Sequence, residues 1–290
     1  MPPNYSHTPT PTVGDVQLVD FSDFRFRASS FDTLISAFIN EFKAPALTEA
    51  QTTKFDYLAG KDKLTDLQTK ELQGFIKKIE AKDNPIIELT QGTISELHAI
   101  WNKESLGIYP ILKSKAVRRG ILQEQESVEL VNSVFGIEMA KNTERLNSNY
   151  LTGEPDLITD KSVIDIKTCE SWETFTKQTL DSNTRDYYWQ LWVYSQLTKK
   201  NAIYIARTLP SYDDELITYE QTKAITQKEI DQTYFNHNFD RIPENKRVRV
   251  FKIQLNDEPV EIIYQYLDKC REYLNNLNTW YLNMQPKVNF

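Results

Sequence analysis

The chain has 290 residues, 40% of them hydrophobic and 12% aromatic, and a formal net charge of −7 at pH 7, which fits one large or two modest domains with a sizeable core. That charge excludes binding to nucleic acid through a generally basic surface, though not an enzyme with a local basic track. No apolar run approaches the roughly 20 residues of a membrane span, the start of the chain lacks a basic region followed by an apolar stretch, and the two distant cysteines, Cys169 and Cys270, suggest neither a disulfide framework nor zinc, so a soluble protein of the cytoplasm is expected.

Residues 1–18, rich in Pro and Thr, are expected to be a disordered tail. Residues 19–105 are expected to form an N-terminal helical region that buttresses the core of the protein. A helical run occupies residues 31–42, after Arg27-Ala-Ser-Ser30. Three Ser/Thr-x-x-Glu/Gln capping boxes, Thr48 with Gln51, Thr65 with Gln68 and Thr93 with Glu96, mark further helix starts. Residues 106–290 are expected to form that core, ending in a long helix at about 259–282. Lys113, Lys115, Arg118 and Arg119 make an acid-free basic cluster, readable as a phosphate track or as a solvated helix face. A helix then carries an apolar stripe of Val128, Val131 and Phe135.

The most informative stretch is Gly153-Glu-Pro-Asp-Leu-Ile-Thr-Asp-Lys-Ser-Val-Ile-Asp-Ile-Lys167. Residues 157–159 and 162–164 read as two strands joined by Asp160-Lys161, a pair suited to a tight turn. Period-2 alternation puts Asp165 and Lys167 on one face and Ile164 and Ile166 on the other, and folding the hairpin brings Asp156 beside them. Two carboxylates this close repel unless a cation lies between them, and hard oxygen ligands suit Mg²⁺ or Mn²⁺. Such an ion could activate water and polarise a phosphoryl oxygen. Lys167 could stabilise charge developing on the phosphate, orient the water or, with a lowered pKa, act as a base. Acid-x-Lys alone is weak evidence, since it recurs at Glu41/Lys43, Glu80/Lys82 and Glu244/Lys246. Read without their context, Asp165 and Lys167 would pass for a surface ion pair.

Downstream, helices are expected at 172–180, 186–197 and 227–238 and strands at 202–207 and 247–253. The class is therefore α/β or α+β, a central mixed sheet flanked by helices. Gln190 and Tyr194 share a helical face four residues apart. Gln190 could hold a phosphate or its water, or bond within the aromatic run 187–194. Trp172 and Phe175 could stack on a base, with core packing the plainer reading. Lys177, Arg185 and Arg207 flank the motifs and could draw phosphates to the site. Glu124 and Glu126 compete as a further acid. Two apart on a helix, only one can face the site.

In order, Gly120-x-x-x-Glu124, Gly153-x-Pro-Asp156, Asp165-x-Lys167 and Gln190-x-x-x-Tyr194 resemble the PD-(D/E)xK nuclease superfamily, most closely the lambda-exonuclease-like viral recombinase branch. The resemblance covers about residues 105–210. It implies a restriction-endonuclease-like core, with Glu124, Asp156, Asp165 and the Ile166 carbonyl as ligands of two Mg²⁺ ions. It also makes Lys167 the catalytic lysine, with Gln190 and Tyr194 as the supporting motif. The implied activity is a Mg²⁺-dependent exonuclease resecting linear duplex DNA for phage-type recombination, beside a single-strand annealing protein and as a homo-oligomeric ring. The rivals are a structure- or sequence-directed endonuclease with the same site and a non-catalytic DNA-binding protein.

Overall fold

A computed structural model describes residues 18–83, 87–108, 115–212 and 214–284. The tail expected at 1–18 lies, but for its last residue, outside the described residues. In chain order the elements are β1 (Phe26–Arg27), α1 (Phe31–Lys43), α2 (Glu49–Ala59), α3 (Asp66–Asp83), α4 (Gln91–Leu106), α5 (Lys115–Leu122), α6 (Glu124–Phe135), β2 (Leu146–Asn147), β3 (Leu151–Gly153), β4 (Leu157–Ile158) and β5 (Ser162–Thr168). They continue as α7 (Trp172–Thr176), α8 (Leu180–Thr198), β6 (Ala202–Thr208), α9 (Asp214–Gln221), α10 (Gln227–His237), β7 (Val248–Ile253) and α11 (Val260–Leu282). No described helix is long and apolar enough to cross a membrane.

The chain divides into two compact units. Among the described residues, one comprises 18–24, 37–83, 87–108 and 262–284, and the other 25–36, 115–212 and 214–261. The helical unit therefore includes most of α11, which the sequence had grouped with the core. The reason is an apolar stripe, Ile263, Tyr266, Leu267, Cys270, Leu274 and Leu277, buried along that helix. Tyr266 stacks on Phe38 of α1 at 3.9 Å between ring centroids, and Trp101 Nε1 of α4 donates to Asn278 Oδ1 at 2.7 Å. The capping boxes at Thr48 and Thr65 form as expected: each threonine Oγ1 accepts from the third helical N–H, and that glutamine returns the bond. The third start is displaced. Thr90, not Thr93, caps α4 and accepts the Thr93 N–H at 3.2 Å. Thr93 is buried, with its hydroxyl 2.6 Å from Tyr266 Oη, so tertiary contact overrides the local signature.

The second unit is built on a four-stranded sheet in the order β4-β5-β6-β7, with β4/β5 and β6/β7 antiparallel and β5/β6 parallel. This is the mixed sheet expected. Its parallel step requires a long crossover, which α7 and α8 supply. On one face α6 lays Val128 and Val131 against Leu157, Ile166 and Ala206. Burying each such side chain contributes about 1.5–3 kcal/mol. Phe135, expected in that stripe, is exposed because it ends the helix before the αL glycine Gly136. Asp165 and Lys167 fall on the opposite face, the one that α8 covers with Gln190 and Tyr187. The break expected between helices 172–180 and 186–197 falls instead at 177–179, where Thr179 caps α8, and a small sheet β1-β3-β2 had no sequence signal. Strands of two or three residues are too short to display a period of two.

Candidate active site

The hairpin forms as the alternation predicted. Thr159 N–H donates to Ser162 O at 2.9 Å across the Asp160-Lys161 turn. Asp156, just before β4, turns its carboxylate onto β5, where Oδ2 accepts the Ile166 N–H at 2.5 Å. Both backbone groups of a strand residue point to the same edge. The Ile166 carbonyl therefore also faces the Asp156 side, past the end of β4.

Asp165 is 1% exposed and Asp156 8% exposed. Burial, then the charge of Asp165, lifts Asp156 well above the ordinary carboxylate range, against the Ile166 hydrogen bond and Lys167. Lys167 Nζ lies 2.9 Å from Asp165 Oδ2. Burial works against its charge, but Asp165 and Asp156 outweigh it, and the ammonium form is favoured beyond its usual range. The opposing oxygen, Asp165 Oδ1, has Gln190 Nε2 at 3.4 Å. Gln190 also donates to Tyr194 Oη at 2.9 Å, and that hydroxyl donates to Glu154 O at 3.3 Å. Burial and both aspartates push the tyrosine up, so it stays a neutral hydrogen-bonding group that orients Gln190.

Lys167, Ile166 and Glu124 line one cavity of about 500 Å³, together with Gly120, Tyr187 and Arg207. Glu126 lines a different one, with Glu129, Ser133 and Arg247. The helix geometry therefore assigns the cavity to Glu124. Its carboxylate pairs with Lys141 at 2.7 Å, a loop partner that no motif announces. A larger cavity, about 650 Å³, lies in the helical unit and is lined by none of these residues.

The donors fit a hard divalent cation. Asp156, Asp165, Glu124 and the Ile166 carbonyl offer only oxygens, and both aspartates are buried with their carboxylates turned to the same stretch of β5. Among the described residues no three His, Cys, Asp or Glu side chains are grouped closely enough to hold a metal ion, the set Asp156, Asp165 and Glu124 included. Mg²⁺ takes one or two carboxylates together with waters and substrate phosphate.

In the basic cluster, Arg119 needs correction. Lys113 and the side chains of Lys115 and Arg118 lie outside the described residues. Arg119 is 2% exposed; its guanidinium donates to Gln123 Oε1, Glu170 O and Pro210 O and stacks on Tyr212 at 4.0 Å. It ties α5 to the loops after β5 and β6 and has no face left for a phosphate. Neighbours on a helix point about 100° apart, so adjacent basic residues need not share a surface. Phe175 belongs to a core cluster with Cys169, Leu209 and Phe239, whereas Trp172 remains exposed.

Sequence reading passed over Tyr187 and Asn183. Tyr187 lies beneath the Lys167 ammonium at 5.3 Å and the Arg207 guanidinium at 4.8 Å, and Asn183 Oδ1 accepts from Arg207 Nε at 2.6 Å. Asn183, Tyr187, Gln190 and Tyr194 recur at spacings of four, three and four, one polar face of α8. That pattern is the signal that could have found them.

A mixed sheet flanked by helices, with Lys167 and buried Asp165 on its second strand and buried Asp156 just before its first, is the architecture of the restriction-endonuclease-like fold. Neither a family model nor a curated protein sequence matches the chain. Among solved structures it is similar to a phage-related exonuclease from Haemophilus somnus 129PT, with a TM-score of 0.62 at 18% identity, covering 89% of this chain and 97% of that one. An alkaline exonuclease from Laribacter hongkongensis also matches, with a TM-score of 0.47 at 11% identity over 89% and 91% of the two chains. At 18% identity the likeness to the Haemophilus protein is one of fold. The fold implied by the motif resemblance is the fold the chain has.

Proposed function

We propose that the chain is a metal-dependent deoxyribonuclease, an exonuclease that resects linear double-stranded DNA. The observation that carries this is the placement of buried Asp156 and Asp165 with Lys167 Nζ 2.9 Å from Asp165, on a fold shared with a phage-related exonuclease. Asp156, Asp165, Glu124 and the Ile166 carbonyl would hold Mg²⁺ or Mn²⁺, which when bound supplies Lewis acidity at the phosphoryl oxygen and lowers the pKa of a bound water. Lys167 stays an ammonium and stabilises the negative charge that builds on the phosphate as the bond to the leaving oxygen breaks. Gln190, oriented by Tyr194, has an amide beside Asp165 that positions the phosphate or the attacking water. A part in phage-type recombination, an annealing-protein partner and a closed ring belong to the same proposal and rest on the motif resemblance.

The test is cleavage of an end-labelled linear duplex and a covalently closed circle, each with Mg²⁺, Mn²⁺ or EDTA, by wild type and Lys167→Ala. Metal-dependent loss of the linear DNA alone, abolished in the variant, is the expected result. Cutting of the circle would make it an endonuclease, and no cutting of either would remove the hydrolytic reading.

A further inference from the structure

Lys167 is the first of three cations in line across the sheet. Its register partner on β6 is Arg207, and the partner of Arg207 on β7 is Arg249. Directly opposed residues project from the same face and neighbouring strands lie about 4.8 Å apart, so the row is about 10 Å long. Like charges placed directly opposite each other destabilise a sheet. Elsewhere in the described residues Arg145, Arg185, Arg247 and Arg271 each have a carboxylate partner. Among those residues Arg207 and Arg249 have no carboxylate within ion-pairing distance.

Arg25, Arg119 and Arg241 also lack a carboxylate, but Arg25 and Arg241 are exposed and held by backbone carbonyls, and oxygens from three residues occupy the Arg119 guanidinium. Arg207 is different. It is 7% exposed, its Nε is held by neutral Asn183, and it lines the same cavity as Lys167 and Tyr187. Arg249 is half-buried and uses one nitrogen, NH1, on Phe175 O and Thr176 O at 3.4 and 3.2 Å. A nearly buried cation without a counter-charge is costly unless an anion completes it.

We propose that Lys167, Arg207 and Arg249 form a phosphate track that receives the polynucleotide backbone as it leaves the cleavage site. Lys167 faces the scissile phosphate, Arg207 the next and Arg249 the one beyond. This rests on the nuclease reading and extends it to residues outside its motifs.

Equilibrium binding of a fluorescent linear duplex to the full chain in EDTA, across a range of KCl, tests the track without turnover. Each phosphate neutralised contributes about −0.9 to the slope of log K against log salt. Arg249→Gln and Arg207→Gln should each flatten the slope by about that amount and weaken binding several-fold, while Arg207→Lys should retain the slope. A duplex carrying one methylphosphonate near its end should cost wild type the same affinity and cost Arg249→Gln nothing further. Unchanged slopes in both glutamine variants, with wild type binding and cutting DNA and only thermal stability lowered, would overturn the track and leave the nuclease reading intact. Failure of wild type to bind or cut any DNA would overturn both.

Discussion

Tyr194 lies against Gly153 so closely that a Cβ added at the glycine would stand 2.8 Å from Tyr194 Cε1 and 3.1 Å from Ala28 Cβ. The first residue of Gly-x-Pro-Asp and the last of Gln-x-x-x-Tyr are thus one packing unit. Bare backbone at 153 lets the ring sit where its hydroxyl reaches both Gln190 and Glu154 O. Gly153→Ala should overpack this contact, destabilise the protein by about 1–3 kcal/mol and displace Gln190 from Asp165. Urea unfolding together with the cleavage rate checks it, and a variant with unchanged stability and rate would show that the ring is free to move.

Lys167→Met removes the ammonium beside Asp165 while keeping the length of the side chain. Cleavage should fall by about 10²–10³-fold, the effect of losing one transition-state stabiliser. Mn²⁺ binding, measured by titration calorimetry, should persist or tighten as a positive charge leaves the site. Lost metal binding would instead make Lys167 a structural group.

Asp156 sets a pH dependence. Raised chiefly by burial and then by Asp165, it holds its proton more tightly in the folded protein than in the unfolded chain. That contribution is fully present below the ordinary carboxylate range and is lost as pH rises through the folded value. Metal-free Asp156→Asn should therefore become more stable than wild type as pH rises from about 4 to 7, by a margin on the order of 1–3 kcal/mol. Mn²⁺ should stabilise wild type and not the variant. Thermal melts in EDTA and in Mn²⁺ measure both.

Glu124→Gln and Glu126→Gln should separate cleanly, because the two side chains line different cavities. Loss of Glu124 should weaken Mn²⁺ binding and cleavage at least tenfold, while loss of Glu126 should leave both within twofold. Equal effects would contradict the orientation of α6.

Arg119→Lys should not be conservative. The guanidinium serves oxygens of Gln123, Glu170 and Pro210 at once, and an ammonium cannot match that planar fork. A loss of about 2–4 kcal/mol on denaturation is expected from the acceptors left unpaired, with no change in the salt dependence of DNA binding beyond what unfolding causes. A flattened salt slope at full stability would return Arg119 to the phosphate contacts.

How far the chain could be read in advance depends on the range of the interactions. The alternation from Val163 to Lys167, the Asp160-Lys161 turn and the boxes at Thr48 and Thr65 depend on neighbours within four residues, and each forms as the residues dictate. The spacing within each of the four motifs was legible for the same reason: each is a local geometry on one element, and Gln190 and Tyr194 share a face whatever surrounds the helix.

What needed the tertiary structure was every relation set by distant packing. Thr93 left its cap because Tyr266 claims its hydroxyl. Arg119 looked like part of a basic surface and is buried, since charge in sequence carries no information on which side of α5 meets the loops after β5 and β6. The pairing of Lys167 with Arg207 and Arg249 depends on the register of three strands joined by long crossovers. By itself the sequence determined which groups can do chemistry and how they alternate along their own elements. Only the fold decided which of them share a cavity, because side-chain period is local while burial and register are summed over the whole chain.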